Sequence, residues 1–96
     1  MLYYIMPMEY NIARSHAEVI VEKSRELRLR MNLTQSDFCE RYGLSFTTFR
    51  QWEMKRRLPD TMGITYLQLI LTNPETVADL VARSQWKFGL GRLTAA

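Results

Sequence analysis

The chain has 96 residues, of which 24% are charged and 47% hydrophobic, and its formal net charge is +3. A chain of this length has room for one domain, which buries only about 60–65% of the surface that the unfolded chain exposes. The single Cys39 excludes an internal disulfide, and the single His16, with no histidine or cysteine beside it, argues against a zinc site. We therefore expect no metal and no cofactor, while the positive charge is compatible with a polyanionic partner.

Residues 1–12 form an apolar N-terminal extension that contains three tyrosines. The extension lacks a basic leading region and a long hydrophobic stretch, and Pro7 interrupts it, so it matches neither a signal peptide nor a membrane span. We therefore expect a cytoplasmic protein. The weak alternation of apolar residues in the extension allows a short strand, and the segment either frays in solution or becomes ordered on a partner.

Ser15 and Glu18 form a capping-box pattern that predicts the start of helix 1. Apolar residues then recur at helical spacing as far as Met31, and Asn32 can take the left-handed conformation that ends a helix. The side chains expected to face the core are those of Ala17, Ile20, Val21, Ser24, Leu27, Arg28 and Met31.

Residues 33–60 predict two short helices joined by a glycine turn. Thr34 can cap helix 2, with Asp37 in its first turn, and Gly43 can take the left-handed conformation at its end. The apolar stripe of this helix consists of Phe38, Cys39 and Tyr42. Because Cys39 lies on that stripe, we expect it to pack in the core rather than to act as a nucleophile.

Ser45 can cap helix 3, on which Phe49 and Trp52 lie on one side. The opposite side offers hydroxyls, an amide and a cation, which can form hydrogen bonds with the edges of bases. This side consists of Thr47, Arg50, Gln51 and Met54, with Phe46 on its flank. A cationic run suited to phosphate follows at once, Lys55, Arg56 and Arg57. An ordinary hairpin with a solvated polar face is the alternative, but the caps, the glycine and the basic run together favour a helix-turn-helix that binds DNA.

Pro59 and Asp60 end the basic loop and predict the start of helix 4, which is apolar nearly all round. Its apolar residues are Tyr66, Leu67, Leu69, Ile70 and Leu71. Asn73 and Pro74 predict the cap and the first residue of helix 5, whose apolar face consists of Val77, Leu80 and Val81. Because this surface exceeds what one small core can bury, we expect a homodimer formed through helices 4 and 5. The alternative is that all of it packs beneath helix 1.

Residues 33–60 resemble the XRE/Cro–phage-repressor class of helix-turn-helix domains, in which a Thr-Gln pair opens helix 2 and a Trp-Glu pair closes helix 3. Those pairs are Thr34-Gln35 and Trp52-Glu53 in this chain. The preceding RELRLRMNL, the following RRLPD and the later TNPETVADLV look like the HigA-type antitoxin branch. The resemblance covers about residues 25–82 and implies an all-α, five-helix, lambda-repressor-like helix-turn-helix domain. We place that domain at residues 13–84, between the extension and a C-terminal tail, residues 85–96, for which fraying and ordering on a partner are again the alternatives.

The resemblance also implies roles for individual residues. Gln35 would contact a backbone phosphate or support a neighbouring base reader, and Arg28 would form an internal salt bridge with Glu53. Phe46, Thr47 and Gln51 would face base edges, while Thr48 and Arg50 would lie near the groove walls. The complete set of expected DNA-binding residues is Gln35, Ser45, Phe46, Thr47, Thr48, Arg50, Gln51, Lys55, Arg56 and Arg57.

Two residues depart from the pattern of this class. Phe46 stands where a polar reader is common, so it would touch a thymine methyl group or pack against sugar. Lys55 stands where a glycine commonly follows the Trp-Glu pair, which leaves the path of that loop open.

Together these features predict a sequence-specific repressor of transcription that binds double-stranded DNA at a palindromic operator and is associated with the nucleoid when bound. The resemblance favours the antitoxin of a type II toxin–antitoxin pair, which autoregulates its operon and meets its toxin through one of the tails or the face of helix 1. The alternative is a stand-alone phage, plasmid or chromosomal repressor of the same fold. An enzyme is not expected, because no acid, base, nucleophile and metal ligands converge in the sequence.

Overall fold

The chain forms five α-helices in the computed structural model, which describes residues 8–88. They are α1 (Met8–Arg30), α2 (Gln35–Tyr42), α3 (Phe46–Glu53), α4 (Thr61–Thr72) and α5 (Pro74–Lys87). No strand occurs within residues 8–88, so the predicted all-α class and the number of helices are confirmed for this part of the chain. None of these helices combines the length and the hydropathy needed to cross a bilayer.

Helix α1 is longer than predicted, because it begins at Met8 rather than at Ser15. Ser15 is an exposed residue inside the helix, and Glu18 lies 3.7 Å from the Nε atom of Arg14 in an ion pair one turn apart. The predicted capping box at Ser15 is therefore wrong, and so is the short strand for the part of the extension that the structure describes. Residues 8–14 include several good helix formers, and the nearest residue that cannot continue a helix is Pro7.

The turns on either side of α2 form as predicted. Asn32 takes a positive φ of 57° after α1, and Gly43 takes a φ of 67° after α2. The Thr34 hydroxyl accepts a hydrogen bond from the Asp37 amide at 3.0 Å, and the Ser45 hydroxyl accepts one from the Thr48 amide at 3.3 Å. These caps begin α2 and α3 within the same short segment, so the angle between the two helices is set by local hydrogen bonds.

A cluster of aromatic rings from α2 and α3 forms the centre of the core. The Phe38 ring lies 4.8 Å from that of Tyr42 and 5.1 Å from that of Phe49, and Phe49 meets Trp52 edge-on at 6.4 Å. Helices α1 and α4 close over this cluster with further buried residues, Ile20, Val21, Leu27, Leu67 and Ile70. Because these rings also pack against one another, their contribution to stability exceeds that of area burial alone.

The backbone lies close to the core at Gly63, in the first turn of α4. A β-carbon placed on Gly63 would lie 2.8 Å from the β-carbon of Pro59 and 3.0 Å from the Cη2 atom of Trp52. Glycine therefore allows the start of α4 to lie directly against the Trp52 ring. The Asp60 carboxylate caps this helix by accepting a hydrogen bond from the Gly63 amide at 2.9 Å.

Helix α5 packs against α2 and α4 and, unlike the other four helices, contains no fully buried residue. The Asn73 side chain caps it through the Thr76 amide at 3.1 Å, with Pro74 as its first residue, as predicted. The Tyr66 hydroxyl donates to the Tyr42 carbonyl, and the Tyr42 hydroxyl donates to the Pro74 carbonyl at 3.1 Å, which ties α4, α2 and α5 together. Residues 85–87 belong to α5, so this helix extends three residues past the predicted start of the C-terminal tail; residues 89–96 lie outside the described residues.

Candidate functional site

Helix α3 has one buried side and one exposed side, in the orientation that the sequence predicts. Phe49 is fully buried, and Trp52 is only 9% exposed, with its ring against α4. Because α3 has just eight residues, two large rings on one side are enough to fix its rotation about its axis. The polar side chains opposite these rings are therefore held in place before any ligand binds.

The exposed side of α3 carries most of the predicted site residues. Exposed are Ser45, Phe46, Thr47, Thr48 and Arg50, and Gln51 is half-buried. Hydroxyls, an amide and a guanidinium supply both donors and acceptors, the groups that hydrogen-bond with base edges or with phosphate. We name the five polar residues of this set the polar face of α3, and Phe46 is the apolar residue beside them.

The basic run follows α3 through a well-defined turn. The Arg56 amide donates to the Gln51 carbonyl and the Lys55 amide donates to the Trp52 carbonyl, both at 3.0 Å, while Lys55 has a φ of 62°. This is the Schellman arrangement, which usually places glycine where Lys55 lies. The sequence leaves the path of this loop open, and in the structure the loop takes the path that a glycine would take. Exposed in this conformation are the three residues of the basic run, Lys55, Arg56 and Arg57.

Gln35 does not point away from the protein. Its Nε2 atom donates to Oε1 of Glu53 at 2.8 Å, and Glu53 is held on its other side by Arg28. The Arg28 guanidinium forms two bonds with that carboxylate, at 3.0 and 2.9 Å, and a third with the Leu33 carbonyl at 2.9 Å. The predicted salt bridge between Arg28 and Glu53 is confirmed. Gln35 is thereby joined to the structural network that connects the ends of α1 and α3.

Residues of α1 also line the groove beside the basic run. This groove has a volume of about 740 Å³ and runs between α1 and the loop after α3. Arg14, Glu18 and Glu22 line its α1 side, opposite Lys55, Arg56 and Arg57. Both glutamates have cationic neighbours on α1, since Glu18 lies near Arg14 and Glu22 lies 3.7 Å from Arg25. The sequence does not indicate this side of the site, because only the packing of α1 brings residues 14–22 next to residues 55–57.

Cys39 and His16 lie in different environments, one buried and the other exposed. Cys39 is buried, and its desolvation, with a smaller effect of the Glu53 charge, raises the pKa of its thiol to about 11. The thiol is therefore protonated at neutral pH and is a poor nucleophile, and the prediction that Cys39 packs in the core is confirmed. His16 is exposed, and its Nε2 atom forms a hydrogen bond with Nε2 of the Gln68 side chain at 2.9 Å.

No protein-family model, curated protein or solved structure matches this chain. Its relationship to a class of helix-turn-helix proteins therefore stays a prediction, carried by the motif residues themselves.

Proposed function

We propose that this protein is a sequence-specific repressor of transcription, in which α2 and α3 form a lambda-repressor-like helix-turn-helix and α3 enters the major groove of DNA. The observation that carries the proposal is the two-sided construction of α3, with Phe49 and Trp52 in the core and the polar face in solvent. A helix of eight residues is roughly 12 Å long. That length suits a major groove about 12 Å wide.

The residues around α3 divide into two kinds of contact. The polar face would contact base edges and supply sequence preference. The basic run after α3, together with Arg14 across the groove, would contact phosphates and supply affinity that depends on salt. Gln35, bound to Glu53, would act by supporting the position of α3 rather than as an independent reader.

The regulatory role that we propose is that of an antitoxin which represses its own operon and pairs with a toxin protein. Its support is the resemblance of residues 25–82 to the HigA-type branch. A stand-alone repressor of the same fold is the second candidate. Purification of the chain together with the product of the adjacent reading frame distinguishes the two. A stable complex that neutralises a growth-inhibiting neighbour supports the antitoxin, and the absence of such a neighbour supports the stand-alone repressor.

We further propose that the repressor is a homodimer formed through α4 and α5. Leu80 is 58% exposed, Leu69 is also exposed, and both border an apolar groove with Tyr66, Val77 and Val81. A dimer would bury these side chains and present two copies of α3 to a palindromic site. Light scattering at micromolar concentration should give the mass of a dimer, and Leu80→Glu should shift it to that of a monomer. A parent protein that is monomeric throughout would contradict this arrangement.

The DNA-binding proposal is tested by selecting duplexes from a random-sequence library and measuring affinity for the selected site. Arg50→Ala and Gln51→Ala should each weaken binding to that site by about 1–3 kcal/mol and should affect random duplex less. Lys23→Ala removes an exposed cation from α1, outside the proposed DNA and dimer surfaces, and is the matched control, expected to bind like the parent. If both α3 variants bind the selected site as tightly as the parent, α3 is not the reader.

The basic run has its own test, because phosphate contacts release counterions. Replacing Lys55, Arg56 and Arg57 together with alanine should weaken binding to selected and random duplexes alike. The slope of log K against log salt should become shallower by roughly 0.9 for each phosphate that the variant no longer neutralises. An unchanged slope would mean that the run faces water rather than DNA.

A further inference from the structure

Phe46 is an exposed apolar residue at the N-terminal end of α3, beside the polar face of this helix. It is the first residue of α3, is 45% exposed, and lies between the exposed Ser45 and Thr47. It belongs neither to the buried core nor to the partly buried residues that pack against it. The fold therefore does not account for a phenyl ring at this position, since its neighbours Phe49 and Trp52 already supply the rings that hold α3.

The position of Phe46 matters because the N-terminal residues of a recognition helix reach deepest toward the bases. Among the groups that bases present in the major groove, the 5-methyl group of thymine is apolar, and the others are hydrogen-bond donors and acceptors. A phenyl ring has no hydrogen bond to offer the latter, but it can bury a methyl group and exclude water from it. The chemistry of Phe46 thus favours one partner in the groove.

We propose that Phe46 reads the 5-methyl group of a thymine, so that it is a specificity-determining residue of the interface. This inference rests on the proposed binding of α3 in the major groove. Arg50 lies four residues further along the same side of α3, a rise of roughly 6 Å. The thymine therefore lies within about two base pairs of the base or phosphate that Arg50 contacts, at 3.4 Å per base pair.

The test uses the duplex obtained by selection and replaces its thymines with uracil one at a time, which removes the methyl group and leaves all hydrogen-bonding groups in place. The parent protein should lose about fourfold in affinity at one defined thymine in each half-site, the factor that corresponds to ~0.8 kcal/mol for one buried methyl-sized group. Phe46→Ala should bind the thymine and uracil duplexes equally well. Phe46→Leu, which keeps an apolar side chain, should still prefer thymine.

Two comparisons make the test specific. Leu29→Ala removes a side chain of similar exposure, 47%, from α1, and it should keep the parent's preference for thymine over uracil. At the sensitive position, cytosine with a guanine partner should bind weakly, and 5-methylcytosine should recover about fourfold relative to cytosine, because it restores the methyl group. Thermal unfolding of Phe46→Ala close to that of the parent shows that the change in preference does not reflect loss of the fold.

The outcomes separate this inference from the function on which it rests. Equal binding of the thymine and uracil duplexes by the parent would overturn the role of Phe46 and leave sequence-specific binding intact. A Phe46→Ala protein that still prefers thymine would assign the methyl contact to another residue. If no duplex sequence is enriched in the selection, the proposed function itself fails, and the role of Phe46 fails with it.

Discussion

Helices α3 and α5 both pack against a small core, but they do so through different kinds of contact. The eight residues of α3 include two large rings that are buried, whereas none of the residues Pro74–Lys87 of α5 is fully buried. Helix α5 is held by partly buried residues such as Val77 and Ala78 and by the hydrogen bond from Tyr42 to Pro74. We infer that the position of a short helix is fixed by the burial of a few large side chains more than by the number of residues in the helix.

The two tryptophans offer the sharpest test of this comparison. Trp52→Ala would leave a cavity beneath α4 and should cost about 3–5 kcal/mol of unfolding free energy. Trp86 in α5 is 87% exposed, so Trp86→Ala should change stability by less than about 0.5 kcal/mol. Thermal and urea unfolding of both variants measure the difference.

Equal destabilisation by the two tryptophan variants would show that the end of α5 is packed rather than exposed, and the contrast between α3 and α5 would fail. A Trp52→Ala protein that unfolds like the parent but no longer binds the selected DNA would place Trp52 in the interface and turn α3 the other way round.

The two helices also differ in their ion pairs, since Glu53 of α3 forms a buried pair and Asp79 of α5 forms an exposed one. Glu53→Ala would leave Arg28 without its carboxylate in a largely buried place and remove the partner of Gln35, and should cost about 3 kcal/mol. Asp79→Ala breaks an exposed pair with Arg83 on α5, at 2.8 Å, and should cost less than about 1 kcal/mol. Urea unfolding at neutral pH compares them. Similar costs for the two substitutions would mean that the Arg28–Glu53 pair is no more important than a surface pair.

The buried thiol of α2 predicts how stability changes at alkaline pH. Burial holds the pKa of Cys39 at about 11, against an ordinary value of 9.0, so the unfolded thiol loses its proton first as the pH rises. The resulting stabilisation is complete below pH 9 and should be lost between about pH 9 and 11, on the order of 1–2 kcal/mol. Burial also raises the pKa of Tyr42 and Tyr66, which adds a further loss above about pH 10.

Cys39→Ala isolates the part due to the thiol. Its unfolding free energy should be lower throughout because of the smaller side chain, but it should be flatter than that of the parent between about pH 9 and 10. Parallel pH profiles for the two proteins would argue that the thiol does not titrate differently in the folded and unfolded chains.

A substitution at Lys55 should raise the stability of the protein and weaken its binding to DNA. Lys55→Gly relieves a left-handed conformation that disfavours residues with a β-carbon, and should raise the unfolding free energy by up to about 1 kcal/mol. The same substitution removes a cation from the basic run and should make the salt dependence of DNA binding shallower by roughly 0.9. Lys55→Ala keeps the strained position and loses the charge, so it is the matched control. A Lys55→Gly protein that is less stable than Lys55→Ala would contradict the assigned strain.

The parts of the fold that follow local rules could be predicted from the sequence. Thr34, Gly43 and Ser45 act within a few residues of themselves, and the spacing of Phe49 and Trp52 alone indicates which side of α3 faces inward. The predicted beginning of α1 is wrong because a capping-box pattern competes with simple continuation of a helix, and residues 8–14 contain no proline or glycine that would interrupt one. Local patterns favour both outcomes, so they do not decide between them.

The parts of the site that depend on tertiary contacts could not be predicted in the same way. The attachment of Gln35 to Glu53 joins residues from different helices, and the groove beside the basic run exists because α1 packs along α3. Spacing within one helix carries no information about either. The resemblance pairs Arg28 with Glu53 correctly, but the role that it implies for Gln35 does not include the bond to that carboxylate.

The close approach of Gly63 to Trp52 limits how this sequence can vary. A β-carbon at position 63 would lie 2.8 Å from the β-carbon of Pro59 and 3.0 Å from the indole ring. Alanine there therefore requires a shift between α4 and Pro59, and a smaller ring at position 52 would relieve the second of the two contacts. Substitutions at positions 52 and 63 are therefore not independent, and Gly63→Ala should be better tolerated beside phenylalanine than beside tryptophan. Among natural relatives of this chain, the two positions should change together, with a small residue at one accompanying a large residue at the other.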